Sequence, residues 1–148
     1  MMQRSATLDD VPAIARLDEQ SFPTKERWSE QLWADELRAD DRFVMVAVDS
    51  SEALIGVATF QLVDEVLDLL RVMVDARWRR MGVASDLLRA GILFATSHGC
   101  TRILLEVRDD NQMAITLYEG FGFEVIDTRK NYYGPGLDAR VMQHEVAQ

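Results

Sequence analysis

Three short segments bring together side chains that can do chemistry as a group. In chain order they are Arg79-Arg80-Met81-Gly82-Val83-Ala84, then Leu104-Leu105-Glu106-Val107-Arg108, then Asn111 followed by Leu117-Tyr118-Glu119-Gly120-Phe121-Gly122-Phe123. The first reads as a helix start, where several backbone N–H groups lack intrahelical partners and the positive dipole end faces outward, the setting that holds phosphate. Gly82 permits close backbone approach and Ala84 keeps the surface low, while Arg79 and Arg80, with Arg71 and Arg77, form the main local concentration of positive charge. Each dipole contribution is only about 0.3–1 kcal/mol, so amides and arginines have to converge. Glu106 interrupts an apolar strand, and alternation puts it on the face of Leu104 and Arg108. Such a carboxylate is either an exposed strand residue paired with Arg102 or Arg108, or a base that removes a proton from an alkylammonium, directly or through one water. Tyr118, among Met113, Ala114, Ile115 and Leu117, is either a core tyrosine with a satisfied hydroxyl or a proton donor to a leaving group.

The elements that must position these groups follow from periodicity and punctuation. A short strand near Met2 to Ser5 precedes Thr7 to Asp10, whose side chains cap a helix carrying Val11, Ile14, Ala15 and Leu17, with Pro12 tolerated in the first turn. Ser29 caps a second helix, and Trp28 and Trp33 flank it as a hydrophobic staple. Phe43 to Val48 and Leu54 to Leu62 read as a hairpin around Asp49-Ser50-Ser51-Glu52, and Val66 to Asp75 as a further strand. Gly82 to His98 is the central helix, ended by Gly99; Arg102 to Arg108 is the next strand. Asn111 caps a helix through about Glu119, and Glu124 to Arg129 and Ala139 to Glu145 complete a mixed sheet. The class is α/β (α+β), arranged as one domain over residues 1–148.

Bulk properties narrow the partners. The formal charge of −9 argues against nucleic acid, which needs a basic face, and suits a cationic substrate. Lone Cys100 excludes an internal disulfide, and His98 and His144 lack ligand spacing with each other or with Cys100, so no metal is expected. No signal peptide and no apolar run of the ~20 residues that cross a bilayer is evident, which makes the cytoplasm the expected setting and a membrane an unexpected partner.

Taken jointly, the segments resemble the GNAT superfamily of N-acetyltransferases, whose Q/R-x-x-G-x-G/A signature stands here as Arg79-x-x-Gly82-x-Ala84. More narrowly, Trp28-Ser29, Leu105-Glu106-Val107-Arg108, Asn111, Ala114-Ile115-x-Leu117-Tyr118-Glu119 and Arg129-Lys130-Asn131-Tyr132-Tyr133 resemble the ribosomal-protein N-terminal-alanine acetyltransferases. The resemblance implies a twisted sheet of about six to seven strands flanked by about four helices, with the fourth and fifth strands splayed to admit acetyl-CoA. It also implies that Val72, Met73 and Val74 bond the pantetheine and acetyl carbonyl through their backbone. Arg79, Arg80, Met81, Gly82, Val83, Ala84 and Ser85 would hold the pyrophosphate, and Asn111 would also contact the cofactor. Glu106 matches the general base and Tyr118 the general acid; Trp28, Tyr132 and Tyr133 fall on the acceptor side. Two departures bear on the acceptor: Leu137 stands where the family often has glutamate, and Thr24-Lys25-Glu26-Arg27 lengthens the loop before Trp28.

The leading expectation is direct acetyl transfer to the α-amine of a protein or peptide N-terminus, a ribosomal protein among the candidates, by a monomer or homodimer. One alternative is a small amine acceptor such as a polyamine, amino acid or aminoglycoside. Another is a non-catalytic acyl-CoA-binding module, against which the joint presence of Glu106 and Tyr118 argues, since binding requires neither proton-transfer group.

Overall fold

The computed structural model describes residues 1–147. Among them, seven strands and four α-helices follow the order β1 (Met2–Ser5), α1 (Val11–Ser21), α2 (Glu30–Arg38), β2 (Arg42–Val48), β3 (Leu54–Val63), β4 (Val66–Val74), α3 (Val83–Ser97), β5 (Arg102–Arg108), α4 (Gln112–Gly120), β6 (Glu124–Arg129) and β7 (Ala139–Glu145). The strands form one mixed sheet in the order β1-β2-β3-β4-β5-β7-β6. The pair β4–β5 is parallel, with Val66 to Leu69 in register with Arg102 to Leu105, whereas β1–β2, β2–β3, β5–β7 and β6–β7 are antiparallel. Beyond that register β4 continues to Val74 and β5 to Arg108. The strand and helix numbers match those that the family resemblance implies. No helix of the described residues is long and apolar enough to cross a membrane.

Backbone contacts divide the chain into two compact units. The first comprises Met1–Gln61 and Arg71–Gly91. Its core joins Val11, Ile14 and Leu17 of α1 and Trp33 of α2 to Val46, Val48, Val57 and Met73 of the strands. Each such side chain contributes about 1.5–3 kcal/mol by leaving water. The two helix starts differ. Before α1, Asp10 accepts from the Thr7 N–H at 2.7 Å within a 3-10 turn over Leu8–Asp10 and makes no side-chain cap bond to α1 itself, which differs from the capping expected of Thr7 to Asp10. At α2, Ser29 Oγ accepts from the Leu32 N–H at 3.2 Å, and the Trp28 and Trp33 rings close the staple at 4.8 Å between centroids. The beginning of α3 lies directly on β3. A Cβ on Gly56 would come within 2.6 Å of Val83 Cγ1, and one on Gly91 within 2.5 Å of the Phe60 ring.

The second unit holds Leu62–Leu70 and the chain from Ile92 onward. In β5, Ile103, Leu105 and Val107 are buried while Arg102, Leu104, Glu106 and Arg108 lie on the more open face. Pairing with β7 sets Glu106 opposite Val141 and Arg108 opposite Ala139; β6 then sets Arg129 opposite Ala139 as well. Asn111 Oδ1 caps α4 by accepting from the Ala114 N–H at 3.2 Å. The helix buries Ile115 and Tyr118 and ends before Gly122, whose φ of +85° turns Phe123 inward.

Candidate active site

In the first unit, the four arginines of the sequence reading separate into two kinds. Arg71 is committed: Nη1 donates to Asp18 Oδ2 at 2.7 Å and Nη2 to the Glu26 carbonyl at 2.7 Å, with the guanidinium 3.9 Å from the Phe22 ring centroid and 4.4 Å from that of Trp28. Arg77 is equally occupied by Asp75, which accepts from its backbone N–H, Nε and Nη2 at 2.9–3.1 Å and is held below the ordinary carboxylate range mainly by those bonds. Of the four arginines that concentrate positive charge, these two are thus engaged by carboxylates. Arg79 and Arg80 make no hydrogen bond or ion pair among the described residues and are exposed. They precede α3 on a sharply curled backbone, with φ +65° at Arg80 and +83° at Gly82. The Asp86 N–H bonds Gly82 O at 2.9 Å, so the amides of Val83, Ala84 and Ser85 precede the helical ladder. Two available guanidiniums beside such amides fit a pyrophosphate. On β4, Val72 and Val74 are partly open and Met73 is buried in the core.

In the second unit, Glu106 pairs with neither Arg102 nor Arg108. Arg102 Nη1 donates to Gln143 at 2.9 Å, Arg108 is bound by Asp110 at 3.0–3.1 Å, and Glu106 Oε1 instead accepts from Arg129 Nη1 at 2.7 Å. Arg129 also lies over the Tyr132 ring at 4.4 Å, and hydrogen bonding to Glu106 raises the Tyr132 phenol above its usual value. Tyr132 and Tyr133 meet edge to face at 5.0 Å in a loop held by Asn131 and Asp138. The Asn131 N–H donates to Asp138 Oδ1 at 2.9 Å, and the Gly136 N–H to Asn131 Oδ1 at 2.7 Å. Tyr118 is 6% exposed; burial, reinforced by the neighbouring Tyr133, pushes its phenol up to about 12. It therefore stays protonated at neutral pH and is available as a donor.

Two acidic residues escaped the sequence reading. Asp68 of β4 is in register with Leu104, on the face that carries Glu106, and burial followed by the Glu106 charge raises it, with Arg102 opposing. Its signal was the one that marked Glu106, an acid interrupting Val66-Leu67-x-Leu69-Leu70. Asp18 is 0% exposed and takes the Trp28 N–H at 2.9 Å and Trp33 Nε1 at 3.2 Å besides Arg71. Trp28 is thus held from three sides: its amide on Asp18, its ring on Trp33 and on Arg71.

Comparison with known proteins agrees with this chemistry. Residues 9–123 match the acetyltransferase (GNAT) family, and similar proteins are N-acetyltransferases, which gives the class: this is an N-acetyltransferase. The [ribosomal protein bS18]-alanine N-acetyltransferase of Escherichia coli strain K12 is 31% identical over 133 residues, covering 88% of this chain and 85% of that one. An N-alpha-acetyltransferase of Saccharolobus solfataricus is 28% identical over 153 residues, covering 94% and 89%. The crystal structure of the Escherichia coli ribosomal-protein-S18-alanine N-acetyltransferase superposes with a TM-score of 0.88 at 26% identity, covering 99% of this chain and 94% of that one. The chain belongs to the acetyltransferase (GNAT) family, whose members use acetyl-CoA.

Proposed function

We propose that this chain, acting as one acetyltransferase domain over residues 1–148, moves the acetyl group of acetyl-CoA to the α-amine of a protein or peptide N-terminus in the cytoplasm. The observation that carries the reading is the link between the strand carboxylate and the tyrosine loop, Glu106 to Arg129 at 2.7 Å and Arg129 to the Tyr132 ring at 4.4 Å. A loop built onto the base suits an extended backbone leading to the amine better than a compact metabolite. The relatives that act on ribosomal protein bS18 alanine and on N-terminal amines point to the same acceptor class.

When bound, acetyl-CoA supplies an activated thioester carbonyl. Arg79, Arg80 and the amides from Met81 to Ser85 hold its pyrophosphate, with Asn111 as a further contact, and the backbone of Val72, Met73 and Val74 orients and polarises the acetyl end. Trp28, Tyr132 and Tyr133 position the acceptor. Glu106, directly or through a water, takes the ammonium proton so that a neutral amine attacks, and Asp68 adds a second negative charge that favours a cationic acceptor on that face. Tyr118 delivers its proton to the departing sulfur as the carbon–sulfur bond breaks, and the second proton that the nitrogen sheds on becoming an amide restores the phenol.

The deciding experiment is mass-resolved acetyl transfer to a panel of free-N-terminus peptides and small amines, beside the Glu106→Gln variant. Peptide α-amines are expected to be modified, with kcat about 10²–10⁴ lower for Glu106→Gln and acetyl-CoA affinity nearly kept. Transfer to polyamines, amino acids or aminoglycosides alone would move the acceptor to small molecules. Cofactor binding without product on any acceptor would favour a binding module.

A further inference from the structure

We propose that Arg129 is a positioning residue that orients the Glu106 carboxylate and ties that orientation to the tyrosine loop. The inference rests on the reading of Glu106 as the base. Three side chains from three segments close on one another: Glu106 from β5, Arg129 from β6 and Tyr132 from the loop after β6. Arg129 Nη1 reaches Glu106 Oε1 at 2.7 Å, and the Tyr132 ring covers the guanidinium at 4.4 Å.

An exposed ion pair on its own does little, and both partners here keep substantial exposure, 50% for Arg129 and 30% for Glu106. The closure changes that. A guanidinium fixed by a carboxylate at its edge and an aromatic ring on its face has few remaining orientations, and it passes that restriction to the carboxylate. A carboxylate offers two oxygens and about four acceptor sites. Arg129 uses one of them at Oε1, which leaves capacity for a water or an ammonium. Bases in proton-transfer sites are commonly aimed by a third group in this way. Placement of Tyr132 over Arg129 makes the aim depend on the loop, so an acceptor that orders the loop also sets the base.

The test is a double-mutant cycle with Arg129→Gln, Glu106→Gln and the pair, plus Arg129→Lys, measured as kcat and KM for an accepted peptide and for acetyl-CoA. All six residues of β6 are exposed, so glutamine is tolerated structurally, and an unchanged melting temperature verifies it. Arg129→Gln is expected to lower kcat about 10- to 100-fold, the cost of a misaimed reacting group, with the KM for acetyl-CoA unmoved. Arg129→Lys is expected to recover most of the rate. Added to Glu106→Gln, the Arg129→Gln change is expected to cost less than about twofold further, because it acts through the carboxylate already lost. An equal cost in both backgrounds would overturn the inference, since that is what a merely structural role gives. A lower peptide KM with full kcat would also overturn it, making Arg129 a competitor of the acceptor ammonium. A slow Glu106→Gln beside a fully active Arg129→Gln removes only this inference. A Glu106→Gln variant at the wild-type rate removes the base and this inference with it.

Discussion

At the residue scale, the second unit separates a phenol kept protonated from a carboxylate that carries a cost. Tyr118 is raised to about 12, chiefly by burial, so the pH profile of kcat should show no falling limb at the ordinary phenol value of 10. Tyr118→Phe should lower kcat about 10²–10⁴-fold without moving the KM for acetyl-CoA, and a variant at the full rate would remove Tyr118 as the acid. Asp68 is the converse case. Its carboxyl is raised above 3.8 by burial and by Glu106, so between 3.8 and the raised value the folded chain holds a proton that the unfolded chain has released. Stability therefore falls as pH rises through that window, and the penalty persists at neutral pH. Asp68→Asn should melt higher than wild type at pH 7, lose that advantage below 3.8, and show a raised KM for the acceptor peptide. A more stable but weaker enzyme is the expected mark of a carboxylate kept for use.

At the element scale, the caps and the close approaches carry the argument. Gly91 lies against Phe60 with no room for a methyl group, so Gly91→Ala should cost about 1–3 kcal/mol, read as a lower midpoint in urea. Gly82 has open space around it but a φ of +83°. Gly82→Ala there strains the backbone by about 1–2 kcal/mol, and its expected signature is a raised KM for acetyl-CoA with kcat at saturation kept. An unchanged KM would take the α3 start out of cofactor binding. Element boundaries were readily legible: β5 runs from Arg102 to Arg108 as the alternation indicates, and Ser29 and Asn111 cap as their residue types suggest. The central helix is shorter than read, Val83–Ser97, because Gly82 at positive φ lies before it and not in its first turn.

At the scale of the whole molecule, 25 acidic against 16 basic residues make a field that draws cations. The KM for a basic peptide is expected to rise severalfold between about 0.02 and about 0.3 M salt while kcat holds, and a flat KM would show that the field has no part in acceptor capture. The sequence by itself determined the kinds of element, the Ser29 and Asn111 caps, the α/β class and the open-face position of Glu106. Periodicity and capping are local chemistry, expressed within a few residues and therefore written in them. Which charges remain available was decided only by the tertiary structure. Arg71 and Asp18 are 53 residues apart, and Arg129 and Glu106 are 23 apart. Strand register and helix packing bring those partners within 3 Å, engaging Arg71 with a carboxylate and giving Glu106 a partner that neither adjacent arginine supplies. The same register set Asp68 beside Leu104 on the face of Glu106. Pairing of this kind depends on distances across the folded sheet, and no spacing along the chain encodes it.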